Sequence, residues 1–308
     1  MHPYCTSSVM GRRDFLKALV GLTGMSVLFP QGITQAAKLK KENANSWDAP
    51  IWIMEVSSGA ILEPQENASL IKTPPYGMLG SIMKLVTTTA LLQDNLLSPN
   101  QQFHCNGTIR LHGHAYHCPH PHGALTLREA LGFSCNVFFA QAMQPLSNSR
   151  WLDYAQRFHL DRPLRDGELF EFQATDAKHQ PVQILGLGLS PAIQPNALQL
   201  LRLTRSIAQR NIESIHATTW DLLQQGMRLA ARRGTVQQLD PLDRFKLAAK
   251  TGTAPHGQRF NSWVIGYFPF EKPRFAFCAR AQAGTAKDSA VPMMRQFLLR
   301  GIFKHETI

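Results

Sequence analysis

Ser81-Ile82-Met83-Lys84 is followed along the chain by Ser134-Cys135-Asn136 and then by Lys250-Thr251-Gly252-Thr253. Each short run is weak alone: Ser-x-x-Lys arises by chance roughly once in a few hundred residues, and Lys-Thr-Gly about once in several thousand. Their joint, ordered occurrence carries the reading, because together they supply the parts needed for acyl transfer through a serine ester. A serine hydroxyl is a poor nucleophile until a neighbouring base takes its proton. Ser81 at the start of a helix directs its own N–H and the helix dipole at a reacting carbonyl. Lys84, three residues on, shares that helix face. Burial and a nearby positive Lys250 both lower its pKa, as a base requires.

The other residues take complementary roles. Ser134 is placed to relay a proton to a leaving amine, and Asn136 to orient Lys84 and a substrate amide. Lys250 offers positive charge to a substrate carboxylate, with Thr251 beside it on the same strand. Gly252 lets that strand approach closely, because no side chain intervenes. The Thr253 N–H is the expected second oxyanion donor, opposite that of Ser81. The catalytic candidates are therefore Ser81, Lys84, Ser134 and Asn136, and the substrate-binding candidates Lys250, Thr251, Gly252 and Thr253. Two lookalikes are set aside. Ser69-Leu-Ile-Lys72 runs straight into Thr73-Pro74-Pro75 and cannot open a helix. Ser98-Pro-Asn100 reads as a turn.

Outward from these motifs, Ile51–Val56 and Ala60–Leu62 read as a hairpin, and Phe245–Thr253, Ser262–Phe268 and Arg274–Arg280 as further strands. A long helix from near Gly80 carries the stripe Leu85, Thr88, Thr89, Leu92. Leu125–Met143 reads as two helical pieces meeting near Ser134. Pro195 opens another helix, and Thr218 or Thr219 caps the next, which buries Trp220, Leu223 and Met227 and stops at Gly234. Val291–Phe303 closes the chain as a helix opened by Pro292. Strands at both ends with helices between predict an α+β fold. In it an antiparallel sheet forms from N- and C-terminal segments, is flanked by helices, and carries an inserted, mostly helical region.

Arg12-Arg13-Asp14-Phe15-Leu16-Lys17 precedes the apolar run Ala18–Phe29 and a small-residue stretch ending at Ala37, the three parts of an export signal. It resembles a twin-arginine signal. The apolar run is short for a membrane span, and an uncleaved anchor is the alternative. Residues 1–37 are thus an export signal, 38–50 a linker and 51–308 the functional domain, with a periplasmic or otherwise exported destination. The 308 residues carry a formal charge of +11. With no RNP, zinc-finger or basic-helix pattern, nucleic acid is not an expected partner, and the charge reads as a solvated basic surface.

Of five cysteines, Cys5 falls in or before the signal. Cys105 and Cys118 flank one loop and are the natural disulfide pair in an oxidising compartment. Cys135 and Cys278 read as inert buried thiols. Six of the twelve histidines lie between His104 and His122. A second reading therefore takes Cys105, Cys118 and two histidines as a zinc site, although the spacing matches no standard finger.

These three motifs, with Leu125-Thr-Leu-Arg-Glu-Ala-Leu131 before Ser134, Gly186-Leu-Gly188, and Asn261-Ser-Trp-Val-Ile-Gly-Tyr-Phe268 after Lys-Thr-Gly, resemble the penicillin-binding protein transpeptidase domain of the serine β-lactamase and D,D-peptidase superfamily. The resemblance runs from about Ile51 to Phe303. It implies a serine-acylated α+β enzyme that uses peptidoglycan stem peptides ending in D-Ala-D-Ala, is acylated by β-lactams, and works beside other cell-envelope proteins. Similar proteins carry two cysteines and a His-Gly pair in this loop, matched by His122-Gly123, which favours the disulfide over metal. Twin-arginine substrates, however, fold before export, in a reducing cytosol. No cofactor and no metal is expected.

The sequence departs from the family at Leu79, where a proline is usual, and its length leaves no room for a glycan-polymerising module. It also lacks the Glu-x-x-x-Asn motif of a class A β-lactamase. The expected function is an exported serine D,D-transpeptidase or carboxypeptidase. The rivals are a serine β-lactamase, a non-catalytic relative that binds peptidoglycan or β-lactams, and a periplasmic metal-binding protein built on the histidine loop.

Overall fold

The computed structural model describes residues 51–63, 75–160, 164–165, 168–169 and 175–300. The expected export signal and linker, the Ser69–Lys72 lookalike and residues 301–308 lie outside them. Among the described residues no helix is long and apolar enough to cross a membrane.

The chain opens with the expected hairpin, β1 (Ile51–Glu55) and β2 (Ile61–Glu63). A 3-10 turn, Gly80–Met83, leads into α1 (Lys84–Gln93). Four short strands follow: β3 (Phe103–Cys105), β4 (Thr108–Leu111), β5 (His114–His117) and β6 (Gly123–Leu125). β4 pairs with β5, and β3 pairs with β6. The helices α2 (Leu127–Gly132) and α3 (Asn136–Ala142) meet at Ser134 as anticipated, and α4 is Asn148–Arg157. Beyond the small β7 (Leu164–Arg165) and β8 (Glu168–Leu169) come α5 (Thr175–Lys178), α6 (Val182–Gly186), α7 (Ala197–Gln209) and α8 (Ala217–Arg233). The chain then returns to the sheet as β9 (Ala248–His256), β10 (Arg259–Phe268) and β11 (Phe275–Ala281), and α9 (Ala290–Leu299) follows.

The main sheet has the order β2-β1-β11-β10-β9, antiparallel throughout, so the first strand is closed by the last. Side chains alternate between its faces. Ile53, Val264, Phe277 and Ala279 pack with Val291, Met294 and Leu298 of α9 in one apolar layer. Trp52, Met54, Ile265 and Cys278 join the larger core built by the other helices. This is the expected α+β architecture, with β9 at the sheet edge carrying Lys250.

Several boundaries differ from expectation, each for a local reason. Lys84–Leu91 is buried on every side, so α1 is an enclosed central helix and not a one-striped surface helix. Its threonines suit that setting because Thr89 donates to the Leu85 carbonyl at 3.0 Å and Thr87 accepts the Trp151 indole N–H at 3.0 Å. Asn196, outside the helix, caps α7, and Pro195 does not open it: the Asn196 side chain accepts the Gln199 N–H, and the Gln199 side chain accepts the Asn196 N–H, a capping box. His216 is the residue before α8, and Thr219 lies buried inside it, hydrogen-bonded to Gln93 at 2.8 Å. Phe245 stays outside β9 because the Asp240 carboxylate accepts the N–H groups of Arg244 and Phe245 at 3.0 and 2.8 Å, forming a turn there.

Candidate active site

Three backbone segments without intervening side chains set the position of Ser81. Gly80 has φ +55, and a Cβ there would stand 2.2 Å from the Thr253 carbonyl oxygen. A Cβ on Gly252 would stand 1.9 Å from the Leu79 carbonyl oxygen. Gly80 also donates its N–H to the Gly188 carbonyl at 3.0 Å. The Trp263 indole N–H adds a bond to the Met78 carbonyl at 3.2 Å. The turn that presents half-buried Ser81 is thereby pressed against the Lys250 strand.

Lys84 and Lys250 are both fully buried and meet at Ser134. The Lys84 Nζ donates to the Ser134 carbonyl at 2.7 Å and to Asn136 Oδ1 at 2.6 Å, and lies 3.5 Å from Ser134 Oγ. The Lys250 Nζ donates to Ser134 Oγ at 2.8 Å and to the Thr251 carbonyl at 3.1 Å. Burial lowers the Lys84 pKa from its ordinary 10.5 to about 8, against the raising influence of Cys135 and Cys118. Burial, and secondly the charge of Lys84, push Lys250 well below its ordinary value. With its oxygen turned toward two lysines, the Ser134 hydroxyl keeps its single proton for a third partner. Ser134 has φ +58, a left-handed conformation costing about 1–3 kcal/mol that its surroundings must hold in place.

The structure brings Ser81, Lys84, Ser134, Asn136, Lys250, Gly252 and Thr253 to one place. The Thr251 side chain turns to the face of β9 opposite Lys250, where its Oγ1 lies 2.8 Å from Thr235 Oγ1. The half-buried Thr253 places its backbone against Gly80, while its Oγ1 accepts the Ala286 N–H at 2.9 Å.

A correction concerns the cysteines. Cys105 and Cys118 are free thiols with sulfurs 3.8 Å apart, well beyond the roughly 2.05 Å of a disulfide. Nor does Cys135 stand alone, since its sulfur is 3.7 Å from that of Cys118. His122 Nδ1 lies 3.4 Å from Cys105 Sγ. The Asn136 N–H points to Cys118 Sγ at 3.3 Å, and the Asn136 Nδ2 donates to the His117 carbonyl at 2.9 Å. Hydrogen bonding from Cys135, then from the backbone at Val137 and Asn136, holds the Cys118 thiol well below its ordinary pKa despite burial. The place of Cys135 was not read from the sequence. Its only signal is the spacing Cys-x12-Cys-x3-His-x12-Cys from 105 to 135.

An antiparallel sheet edged by Lys-Thr-Gly and facing a buried helix that opens on Ser-x-x-Lys defines a transpeptidase-like α+β fold. Residues 68–298 match the penicillin binding protein transpeptidase domain, and the chain belongs to that family of peptidoglycan transpeptidases. Solved structures agree in fold. The D,D-transpeptidase domain of a peptidoglycan glycosyltransferase from Eggerthella lenta superposes with a TM-score of 0.65 at 19% identity, covering 83% of this chain and 79% of that one. The transpeptidase domain of penicillin-binding protein 3 from Burkholderia pseudomallei gives 0.69 at 17% identity, covering 87% and 92%. Penicillin-binding protein 2 from Helicobacter pylori, in complex with MreC, gives 0.68 at 18% identity, covering 86% of this chain and 63% of that one. No curated protein matches the sequence.

Proposed function

We propose that the protein is an exported serine D,D-transpeptidase that acts on stem peptides ending in D-Ala-D-Ala and is acylated by penicillins at Ser81. The observation that carries this reading is the meeting of Lys84 and Lys250 on the Ser134 hydroxyl, at 3.5 and 2.8 Å, beside the turn bearing Ser81. Neutral Lys84 takes the Ser81 proton as Oγ attacks the penultimate D-Ala carbonyl. The N–H groups of Ser81 and Thr253 receive the oxyanion. Ser134 passes its proton to the departing D-Ala amine and is reprotonated from a lysine. The serine ester then transfers to an amine acceptor, or to water. Lys250 meets the terminal carboxylate, and Asn136 holds Lys84. Export by the twin-arginine-like signal belongs to the same reading. So does a cell-envelope protein partner, of the kind that MreC is for the Helicobacter pylori protein.

The test is covalent labelling by a fluorescent penicillin, read by intact mass in wild type and Ser81→Ala. A lasting adduct on wild type, lost in Ser81→Ala, is expected. Rapid release of hydrolysed drug assigns a β-lactamase instead. No adduct and no D-Ala release from stem peptides assigns a non-catalytic binding protein.

A further inference from the structure

Cys105, Cys118, His122 and Cys135 direct three sulfurs and one ring nitrogen to a common centre, with all four atoms within 4.8 Å of one another. Zinc–sulfur bonds of about 2.3 Å at a tetrahedral angle separate sulfurs by about 3.8 Å, and a sulfur from an imidazole nitrogen by about 3.5 Å. Two of the three sulfur pairs stand at 3.8 and 3.7 Å and one of the three sulfur–nitrogen pairs at 3.4 Å, the remaining pairs lying within 4.8 Å. All three cysteines are buried. No pairing into one disulfide uses the third thiol and the imidazole, whereas a tetrahedral cation uses all four donors. The surroundings suit anionic sulfur: Cys118 receives the Asn136 N–H and Cys135 the Phe138 N–H, each at 3.3 Å. The His122 ring is stacked on Phe133, with centroids 6.0 Å apart.

We infer that these four residues bind one divalent metal ion of zinc type, closed to substrate, which holds Ser134 and Asn136 in their working positions. Three cysteines and one histidine form a recognised structural zinc set with no open coordination position. Thiolates favour zinc over magnesium or calcium. The expectation of no metal is thereby revised, and Cys135 changes from inert thiol to ligand.

The coupling is short and specific. Cys135 is flanked by Ser134, whose carbonyl and hydroxyl face the two lysines, and by Asn136, whose amide oxygen accepts from Lys84. The neighbouring ligand Cys118 grips the Asn136 N–H, while the carbonyl of the residue before it, His117, accepts from the Asn136 amide. Metal binding therefore ties the β3–β6 loop to both residues of the Ser-x-Asn motif and supports the strained φ of Ser134. Cys105, Cys118, His122 and Cys135 are positioning residues. The effect on acylation rests on the function proposed above; the metal site itself does not.

The test uses the full chain, purified without chelator or added metal, and analysed for metal per chain. Metal is then removed under reducing conditions and restored with zinc or cobalt alone. One zinc per chain and sulfur-to-cobalt charge-transfer bands are expected, both lost in Cys105→Ser and kept in Cys278→Ser. The stripped chain keeps its circular dichroism but is acylated by penicillin about 10- to 100-fold more slowly, recovering on reloading. A Cys105–Cys118 disulfide in the freshly purified chain, or cobalt bound without thiolate bands, overturns the site. Unchanged acylation after stripping, or global unfolding, overturns the positioning role. A loaded chain that never labels refutes the proposed function and leaves the metal site standing.

Discussion

The Lys250 Nζ lies 2.8 Å from Ser134 Oγ, with Lys84 on the other side of the same oxygen at 3.5 Å. A hydroxyl wedged between two desolvated amines serves as a junction for protons, and its removal breaks the hydrogen-bonded path between the two lysines. Ser134→Ala is expected to slow D-Ala release from a stem peptide by about 10²-fold. Ser81 remains competent for slow penicillin labelling. Steady-state release and single-turnover labelling measure the two effects separately.

Lys84 must lose a proton before it can accept one. With its pKa lowered to about 8 by burial, the neutral fraction grows as pH rises and is nearly complete about one unit above that value. The acylation rate is therefore expected to climb tenfold per pH unit below about 8 and to level off above it. A pH profile of labelling locates the limb. Lys84→Arg, which retains the charge and cannot deprotonate, should show no limb and almost no labelling.

Gly252→Ala forces a methyl group into a gap 1.9 Å from the Leu79 carbonyl. The obstacle is backbone, so the strand and the serine turn must part. A stability loss of about 1–3 kcal/mol is expected, with labelling reduced beyond what the unfolded fraction explains. Denaturant titration alongside penicillin labelling checks both.

Asp94 closes α1 away from the active site by accepting the Arg150 Nε at 2.8 Å and the Tyr154 hydroxyl at 2.7 Å. Hydrogen bonding from Arg150 holds its carboxyl below the ordinary 3.8. Its stabilising contribution is complete above that pH and is lost as pH falls through the lower folded-state value. Asp94→Asn is expected to flatten this acid-side decline and to leave labelling at neutral pH intact. Thermal melts of both proteins from about pH 5 to pH 3 decide the matter.

Chemistry was more legible in the sequence than geometry. That Lys84, Ser134, Asn136 and Lys250 meet beside the Ser81 turn could be anticipated because each motif places particular side chains at fixed spacing on one element. That the sheet joins N- and C-terminal strands followed from apolar runs at the two ends of the chain, while the order in which they pair is seen only in the structure. What escaped depended on contacts between distant segments or on local competition for hydrogen bonds. Thr251 shares a motif with Lys250 yet faces Thr235 across the strand, because β alternation overrides adjacency. Asn196 and not Pro195 caps the helix, through a reciprocal bond with Gln199. Cys135 looked inert because its partners sit 17 and 30 positions earlier and converge only once β3 pairs with β6.

The three converging thiols also bear on delivery. Under the proposed export, sulfurs this close would be exposed to oxidation, and Cys118 would have a choice of two neighbours for a mistaken disulfide. A chain that crossed the membrane unfolded would meet that hazard before its ligands had converged. One that crossed already folded would arrive with its sulfurs committed to a metal acquired in the reducing interior. If the chain is exported as proposed, the paired arginines at 12 and 13 and the cysteines near the Ser-x-Asn motif would be two halves of one provision, loading at home and working abroad.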